Sequence, residues 1–291
     1  MGRNNIKKQF SSLVVVPFIE NLFDLKTRHK YRLIFRSCFF YCLTNNGDNV
    51  RNYLKNLAIH LRGDYSSICR FIHEGKRVPS YEYQGNYICY GDRDYPKCFY
   101  ELDDPPFVIF YEGNLSLLHT RCIAVVGSRT PSKYALRMTE LFVRNVREHY
   151  TIVSGLAYGI DIMAHRCALD FQSIAVVGCG LDICYPFKHR EVFDVMKQKH
   201  LVISEYPIGV HPQKHYFPFR NRLIAALSQS IYVMSALARS GTMHTVNEAL
   251  KLNRRVVCLP HNLDDISGVG CNLLIQEGAE VLTNLEDLSN I

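Results

Sequence analysis

The sequence has 291 residues, of which 47% are hydrophobic, enough for one large packed α/β domain and a smaller one. No segment approaches the ~18 consecutive apolar residues of a membrane span, and the N-terminus lacks the apolar region of a secretion signal. We therefore expect a cytoplasmic protein without membrane contact. The net charge of +7 favours an acidic partner. The eleven cysteines form no C-x-x-C pair, which favours reduced core thiols over a disulfide or zinc role.

Residues 1–78 predict a small N-terminal helical domain. The helical stretches are rich in Leu, Phe and Tyr, and they read FIENLFDLKTRHKYRLIFRSCFFYCL, NVRNYLKNLAIHL and YSSICRFIHEG. Residues 1–100 contain 16 Lys and Arg against 8 Asp and Glu, so the excess positive charge is concentrated there. Residues 79–114 form a turn-rich lead-in with one or two further strands, and they open the second domain, 79–291.

From about residue 115, short β-branched runs alternate with amphipathic helical stretches. The runs are CIAVVG, YTIVSG, SIAVVG, HLVISE, SIYVMS, RRVVCLP and AEVLTN. Near-continuous apolar strands separated by helices indicate a parallel sheet that is covered on both faces. The predicted fold class is α/β, with a Rossmann-like, doubly wound, mostly parallel sheet.

The second domain contains two long segments without Asp or Glu, which we call acid-free gaps. The first runs from Glu112 to Glu140 and the second from Glu205 to Glu248. The cations inside them are Arg121, Arg129, Lys133, Arg137, Lys214, Arg220, Arg222 and Arg239. If the fold brings the two gaps together, they form an anion-attracting surface. The alternative is that these cations line solvated helix faces.

The first loop after a predicted strand reads GSRTPSKYALRM. It lacks the G-x-G-x-x-G pattern of a dinucleotide site, which argues against a nicotinamide or flavin enzyme. Thr130 is suited to cap the following helix and Pro131 to occupy its first turn. Free N–H groups at such a terminus, with Arg129 beside them, favour phosphate binding over a purely structural turn.

The next three loops carry glycines, aromatics and cations. In SGLAYGIDIMAHRCAL, Asp161 and His165 lie at i and i+4, the spacing of an acid/base pair on one helix face. We favour a cap for Asp161 and a structural hydrogen bond for His165. The loop GCGLDICYPFKHRE contains Lys188, and SEYPIGVHPQKHYFPFRNR presents Lys214 and the Arg-Asn-Arg group.

Taken in chain order, these loops resemble those of the DNA-processing protein A family, Rossmann-fold single-stranded-DNA binders of bacterial natural transformation and recombination. The motifs cover about residues 80–291, and they are VVGSR, VSGLAYGIDIMAH, IAVVGCGLDICYP, SEYPIG, FPFRNRLIAALS, ARSGTMHTVNEAL and NLLIQEGAEV. The resemblance implies a non-enzymatic, cytoplasmic homodimer that protects single-stranded DNA and helps load the RecA recombinase. It implies neither a cofactor nor a metal. The N-terminal helices would match a sterile-alpha-motif-like or helix-hairpin-helix-like domain.

The resemblance also implies the DNA-facing residues, which are Gly127, Ser128, Arg129, Ser154, Gly155, Lys188, Lys214, Arg220, Asn221 and Arg222. The two arginines would contact successive phosphates, or one phosphate and the sheet edge, while Asn221 fixes the loop, although one arginine of the pair can instead brace backbone carbonyls. Nearby aromatic residues are candidates to stack bases, with core packing as the alternative, and they are Tyr185, Phe187, Tyr216, Phe217 and Phe219. Because no feature reads the sugar 2′-hydroxyl, the sequence does not separate DNA from RNA.

This sequence departs from the family pattern at Ala135, Ser235, His261 and Cys271. These departures remove no cation, but they affect loops near residues 235 and 261. In the family the C-terminal part of the domain forms the dimer interface. The resemblance therefore implies a dimer interface here at about residues 235–280, and the same segment would form part of the recombinase contact.

The competing interpretation is a nucleotide-processing enzyme or a nucleotide sensor. Related phosphoribohydrolases carry G-G-x-G-T-x-x-E after a strand. RSGTMHTVNEAL offers Gly241 and Thr242 without a double glycine, and its glutamate, Glu248, follows the threonine by six residues instead of three. The spacing disfavours that chemistry.

Overall fold

The computed structural model describes residues 50–285, and the described chain divides into two compact units. One unit contains the chain up to Glu82 together with Ile88–Tyr95, and the other contains Tyr83–Tyr87 together with the chain from Pro96 onward. The sequence predicted a division after residue 78. The stretch FIENLFDLKTRHKYRLIFRSCFFYCL lies outside the described residues.

From residue 50 onward, the first unit contains the helices α1 (Val50–His60) and α2 (Tyr65–His73), in the remaining two stretches predicted to be helical. Asp64 caps α2, since its side chain accepts a hydrogen bond from the backbone N–H of Ser67 at 2.8 Å. The turn before it places Gly63 at φ 75°, a conformation that favours glycine. The buried apolar residues of the two helices include Leu54, Leu57, Ile68 and Ile72.

A nine-stranded sheet forms the core of the second unit, and strand β1 lies across the division between the units. Its strands are β1 (Asn86–Cys89), β2 (Val108–Gly113), β3 (Cys122–Gly127), β4 (Thr151–Ser154), β5 (Ser173–Val176), β6 (Leu201–Ser204), β7 (Ser230–Ser235), β8 (Arg255–Cys258) and β9 (Glu280–Val281). Their order is β1-β2-β6-β5-β4-β3-β7-β8-β9. Strand β2 pairs antiparallel with β6, and the strands from β6 to β9 pair in parallel.

Helices cover both faces of this sheet. They are α3 (Lys133–Val146), α4 (Ile160–Ala168), α5 (Arg190–Lys199), α6 (Tyr216–Leu227), α7 (Gly241–Lys251) and α8 (Val269–Gln276). Ile123 and Val125 of β3 pack in one apolar cluster with α3 and α4. Because side chains alternate along a strand, Ala124 and Val126 face the other side, where α6 lies against β3, β4 and β5 and also packs on α7.

The structure confirms the predicted fold class, and all seven predicted runs are strands. Strands β4, β5, β6 and β7 are buried along their whole length, as expected for parallel strands covered on both faces. No helix between residues 50 and 285 combines the length and apolarity needed to cross a bilayer. The sheet order reverses between β3 and β7, so the loops after the strands meet at its carboxyl edge.

Candidate nucleic-acid interface

A pocket of about 60 Å³ lies at the carboxyl edge of the sheet, where the loops after β3, β4 and β5 meet the first turns of α6. We call it the edge pocket. It is lined by Arg129, Leu156, Ala157, Tyr158, Val177, Gly178, Tyr185, Pro186, Phe217 and Arg220. Its walls are mainly apolar and aromatic, and its charged lining residues are both arginines. The two acid-free gaps of the sequence therefore meet here, through Arg129 and Arg220.

The loop after β3 holds Arg129 at the rim of the edge pocket. The N–H of Ser128 donates to the carbonyl of Ser235 at 2.8 Å, and its carbonyl accepts from Ile160 N–H at 3.2 Å. A Cβ on Gly127 would lie 2.6 Å from the side chain of Ile160, so glycine is needed for this approach. Arg129 is exposed, and its guanidinium lies 5.7 Å from the centre of the Phe217 ring. Gly127 and Ser128 thus shape the loop that presents Arg129.

The predicted cap of α3 is wrong by two residues. Ser132 is the N-cap, and its Oγ accepts from Ala135 N–H at 3.3 Å, whereas the backbone N–H of Thr130 donates to Ser128 Oγ at 3.1 Å. Pro131 accordingly precedes the cap instead of occupying the first turn. Ser132 therefore satisfies the one free N–H group of the helix that the sequence had assigned to Thr130.

The loop after β4 is built around buried hydrogen bonds. Ser154 is fully buried and donates through Oγ to the carbonyl of Val125 at 2.6 Å. The buried ring of His165 lies 2.8 Å from Ser173 Oγ through Nδ1 and 2.5 Å from the carbonyl of Gly155 through Nε2. The structural role expected of His165 is confirmed. The cap expected of Asp161 is wrong, because Gly159 occupies the cap position and Asp161 lies in the first turn of α4.

Arg220 forms the buried floor of the edge pocket. Its Nη1 donates to the carbonyl of Val176, and its Nε is buried without a hydrogen-bond partner. A Cβ on Gly155 would come within 2.7 Å of both Nη atoms and would also contact the Asp161 carboxylate. The glycine therefore lets the guanidinium and the carboxylate approach the strand end from two sides.

The opposite charges of Arg220 and Asp161 partly offset the free-energy cost of burying each group. Burial lowers the pKa of Arg220, and the neighbouring Asp161 carboxylate opposes that shift. Burial raises the pKa of Asp161, against the nearby Arg220 guanidinium. The Asp161 carboxylate thus favours the charged form of the Arg220 guanidinium.

Arg222 lies away from the edge pocket, two residues further along α6. Its guanidinium binds the Glu205 carboxylate in a bidentate pair, with N–O distances of 2.5 and 2.7 Å. Its Nε donates to the carbonyl of Asp104 at 2.9 Å, and the group lies 3.7 Å from the centre of the Phe219 ring. Both members of the ion pair are buried. In this geometry Arg222 braces the protein, which is the alternative that the sequence left open for one arginine of the pair.

The remaining predicted contacts, Asn221, Lys188 and Lys214, are not among the residues that line the edge pocket. Asn221 donates through Nδ2 to the carbonyl of Gly241 at 3.2 Å, which ties α6 to the start of α7. Lys188 and Lys214 are exposed. Within residues 50–285, neither lysine forms an ion pair, and neither does Arg129.

The aromatic residues divide into exposed and packed groups. Tyr185 is 47% exposed and Phe187 75% exposed, and Tyr185 stacks on Phe217 with ring centres 5.6 Å apart. By contrast, Tyr216 is buried against Tyr206. Phe219 packs under Arg222, as noted above.

Tyr158, which the sequence analysis did not single out, is a further exposed aromatic side chain at the edge pocket. Its ring packs edge-on against His189 at 4.9 Å. In the sequence, Tyr158 is marked only by its position in the loop SGLAYGID, between two glycines.

The departures from the family pattern are accommodated by local contacts. Ser235 donates through Oγ to the carbonyl of Ser267 at 2.8 Å. His261 lies between the Asp265 carboxylate, at 3.0 Å, and the carbonyl of Met234, at 3.1 Å, and its ring fills the space above Gly268. Hydrogen bonds from Ser267 first, and then from His261, hold the pKa of Asp265 below its usual range.

The α7 glutamate considered for catalysis, Glu248, pairs with Lys251 at 2.6 Å.

Comparison with known proteins identifies the family. The sequence profile of DNA recombination-mediator protein A matches residues 86–291. The chain belongs to this family. It is 42% identical over 199 residues to DNA processing protein DprA of Streptococcus pneumoniae, which covers 68% of this chain and 71% of the relative. The resemblance deduced from the seven motifs is thereby confirmed, and DNA recombination-mediator protein A proteins act in DNA processing.

Two solved structures of the family have the same fold. The X-ray structure of DNA processing protein A from Streptococcus pneumoniae superposes with a TM-score of 0.72 at 31% identity, covering 94% of this chain and 96% of that one. The Helicobacter pylori protein, whose structure describes a single-stranded DNA binding mode, superposes with a TM-score of 0.66 at 33% identity, covering 71% and 95%.

Proposed function

We propose that this member of the DNA recombination-mediator protein A family binds single-stranded DNA at the carboxyl edge of its sheet. The carrying observation is that an exposed cation, Arg129, and two exposed aromatic rings, Tyr158 and Tyr185, line one pocket at that edge. A sheet of parallel strands places its ligand at this edge. The Helicobacter pylori relative, described for single-stranded DNA binding, supports the same ligand.

Three cations are the proposed phosphate contacts: Arg129, Lys188 and Lys214. They are exposed, and within the described chain no carboxylate neutralises them. Gly127, Ser128, Ser154 and Gly155 contribute through the backbone shape that presents Arg129 and admits Arg220. Asn221 contributes by fixing α6 to α7, and Arg222 by bracing α6 through Glu205.

Binding of this kind should depend on salt and tolerate sequence changes. Phosphate contacts release counterions from the DNA, which makes affinity fall as salt rises. Stacking on Tyr185, Phe187 or Phe217 accepts any base because every base has a π-face. The proposed mode needs no bond-making chemistry, so the chain is proposed to act without catalysis.

The proposal extends to assembly and partners. We infer a cytoplasmic homodimer that forms through residues 235–280, protects single-stranded DNA and helps load the RecA recombinase in transformation and recombination. Large apolar side chains in this segment are exposed, and they include Leu237, Leu263, Ile266 and Leu273. Exposed large apolar side chains favour a protein interface where they form a continuous patch, and such a patch is part of this proposal.

Fluorescence anisotropy with a labelled poly-dT oligonucleotide tests the DNA contact. The chain should bind the single strand more tightly than the duplex, with a steep salt dependence. Arg129→Ala should weaken binding roughly tenfold and reduce the salt slope by about 1, with an unchanged thermal transition. Arg137→Ala is the matched control, since Arg137 is an exposed arginine outside the edge pocket.

Absence of binding at low salt would reject the proposal and favour a small nucleotide as the ligand. An equal loss of affinity in Arg129→Ala and Arg137→Ala would place the DNA elsewhere on the basic surface.

A further inference from the structure

The turn Ile266–Gly268, which follows β8, is fastened by one aspartate. The Oδ1 atom of Asp265 accepts from the N–H of Ser267 at 3.0 Å and from its hydroxyl at 2.7 Å. Its Oδ2 atom lies 3.0 Å from the Nδ1 atom of His261, whose ring is buried. Hydrogen bonds from Ser267, then from His261 and Ser132, hold the pKa of the Asp265 carboxyl below its usual range. The carboxylate is therefore the centre of a polar cluster that joins distant parts of the chain.

Three hydrogen bonds connect this turn to the loop that presents Arg129. The N–H of Ser132 donates to Ser267 Oγ at 3.2 Å. The Oγ atom of Ser235 donates to the carbonyl of Ser267 at 2.8 Å, and the carbonyl of Ser235 accepts from Ser128 N–H at 2.8 Å. The turn therefore holds the loop on both sides of Arg129, through Ser235 at one end and through Ser132 at the other.

The direction of the Arg129 side chain depends on the backbone that carries it. Arg129 is exposed, and its guanidinium lies 5.7 Å from the centre of the Phe217 ring. A loop that is ordered before binding loses less conformational entropy when the ligand arrives. A phosphate contact made from a held loop therefore gives more affinity than the same contact made from a loose one.

We propose that Ser267 is a positioning residue for single-strand binding, and that it acts through Arg129 by fixing the loop after β3. This inference rests on the proposed function, and it gives a role to the loop after β8, which does not line the edge pocket. Two members of the arrangement, Ser235 and His261, occupy positions where this chain departs from the family pattern. The family motifs therefore do not encode it.

The change Ser267→Ala tests the role of the hydroxyl, because alanine offers no acceptor to Ser132 N–H. Binding is measured by fluorescence anisotropy with a labelled dT oligonucleotide of about 12 residues across a salt series. Affinity should fall about three- to fivefold, and the salt slope should decrease by up to about 1, toward the slope of Arg129→Ala. The melting temperature should fall by about 2–4 °C.

A double-mutant cycle with Arg129→Ala separates positioning from a purely structural role. If Ser267 acts through Arg129, Ser267→Ala should change affinity by less than about twofold in the Arg129→Ala chain. An equal loss of affinity in both backgrounds would show independent residues and overturn the inference. Ser267→Thr, which keeps the hydroxyl, should retain the salt slope of the wild-type chain.

The matched control is Ser116→Ala. Ser116 makes the same pair of hydrogen bonds to Asn114 Oδ1, from its N–H at 3.1 Å and from its hydroxyl at 2.7 Å. It lies before β3 in the chain and does not line the edge pocket. The control should lose similar stability and keep the wild-type salt slope. An equal loss of affinity in Ser116→Ala and Ser267→Ala would assign the effect to stability and overturn the inference.

Sedimentation velocity separates positioning from an effect through association, since Ile266, next to Ser267, lies in the proposed dimer segment. Ser267→Ala should sediment as the wild-type chain does at the concentrations of the binding assay. A loss of affinity that appears only where the variant dissociates would overturn the inference. If the wild-type chain binds no single strand, the proposed function itself fails. If it binds and Ser267→Ala binds equally, with the same salt slope, this inference alone fails.

Discussion

Arg220 and Arg222 show how two identical side chains in one motif take different roles. Successive residues in a helix are rotated by about 100°, so positions two apart lie on nearly opposite sides of α6. Arg220 accordingly faces the carbonyl of Val176 at the end of β5. Arg222 faces Glu205 in the loop after β6. Which arginine meets a ligand is therefore decided by the orientation of α6 on the sheet.

Removing the partner of a buried ion pair should cost stability. Arg222→Ala leaves the Glu205 carboxylate buried without its cation, so we expect a loss of about 3–5 kcal/mol in the free energy of unfolding. Urea denaturation followed by circular dichroism measures it. Arg222→Met combined with Glu205→Leu removes both charges and should recover most of that loss. Unchanged stability in Arg222→Ala, with weakened DNA binding, would instead place Arg222 on the DNA.

His165 should make the folded state sensitive to acid. Burial lowers its pKa from 6.5 to about 4, so the folded chain favours the neutral ring while the unfolded chain protonates it more readily. The neutral His165 ring therefore contributes fully to the free energy of unfolding above pH 6.5. This contribution is lost as the pH falls toward 4, by up to roughly 3 kcal/mol. Urea denaturation between pH 8 and pH 4, in roughly half-unit steps, would show this decline.

The control for this prediction is His165→Gln, which removes the titrating ring. Burial also lowers the pKa of His200, so part of the acid sensitivity will remain in the variant. The difference between the two pH profiles is the contribution of His165. Parallel profiles for wild-type and variant chains would contradict it.

At the scale of the element, the cap of α3 is the sharpest difference between sequence and structure. Ser132→Ala removes the acceptor for Ala135 N–H and should lower the free energy of unfolding by about 1 kcal/mol. Thr130→Ala, two residues earlier, should change it by less than about 0.5 kcal/mol. Thermal denaturation of both variants decides the matter. A larger loss in Thr130→Ala would restore the cap expected from the sequence.

The strands were predictable because a strand that is buried on both faces of a sheet is apolar at nearly every position. Strand β5, for example, is apolar at every position after Ser173, and this pattern depends only on the strand itself. The cap was not predictable, since Thr130 and Ser132 are both suitable side chains on either side of Pro131. The choice depends on where the turn after β3 ends.

The position of the edge pocket was predictable from the sequence, whereas the contacts of its individual residues were less so. Post-strand loops meet at the carboxyl edge in any sheet of this kind, and Arg129 reaches the pocket from the loop after β3. The pairing of Arg222 with Glu205 spans 17 residues, and no local pattern encodes which carboxylate a helix will meet. Long-range contacts of this kind require the packed structure.

On the scale of the whole molecule, charge is arranged locally. Residues 101–291 contain 18 Lys and Arg against 19 Asp and Glu, so their average charge would not attract DNA. The proposed attraction would instead arise at one edge, where an acid-free segment places Arg129 beside the edge pocket and the potential acts over about a Debye length of 10 Å or less. Net charge alone therefore does not reveal such a surface.

The proposed dimer can be tested at an exposed apolar residue of segment 235–280. Ile266 is 75% exposed within the proposed interface, so Ile266→Asp would bury an unpaired charge on dimerisation. Such a charge costs about 2–5 kcal/mol, or roughly thirtyfold to several thousandfold in the dimer dissociation constant. Sedimentation velocity over a dilution series should show the wild-type chain as a dimer and the variant shifted toward monomer. Ile208→Asp, at an exposed position outside residues 235–280, should remain dimeric. A monomeric wild-type chain, or equal dissociation in both variants, would contradict an interface formed by this segment.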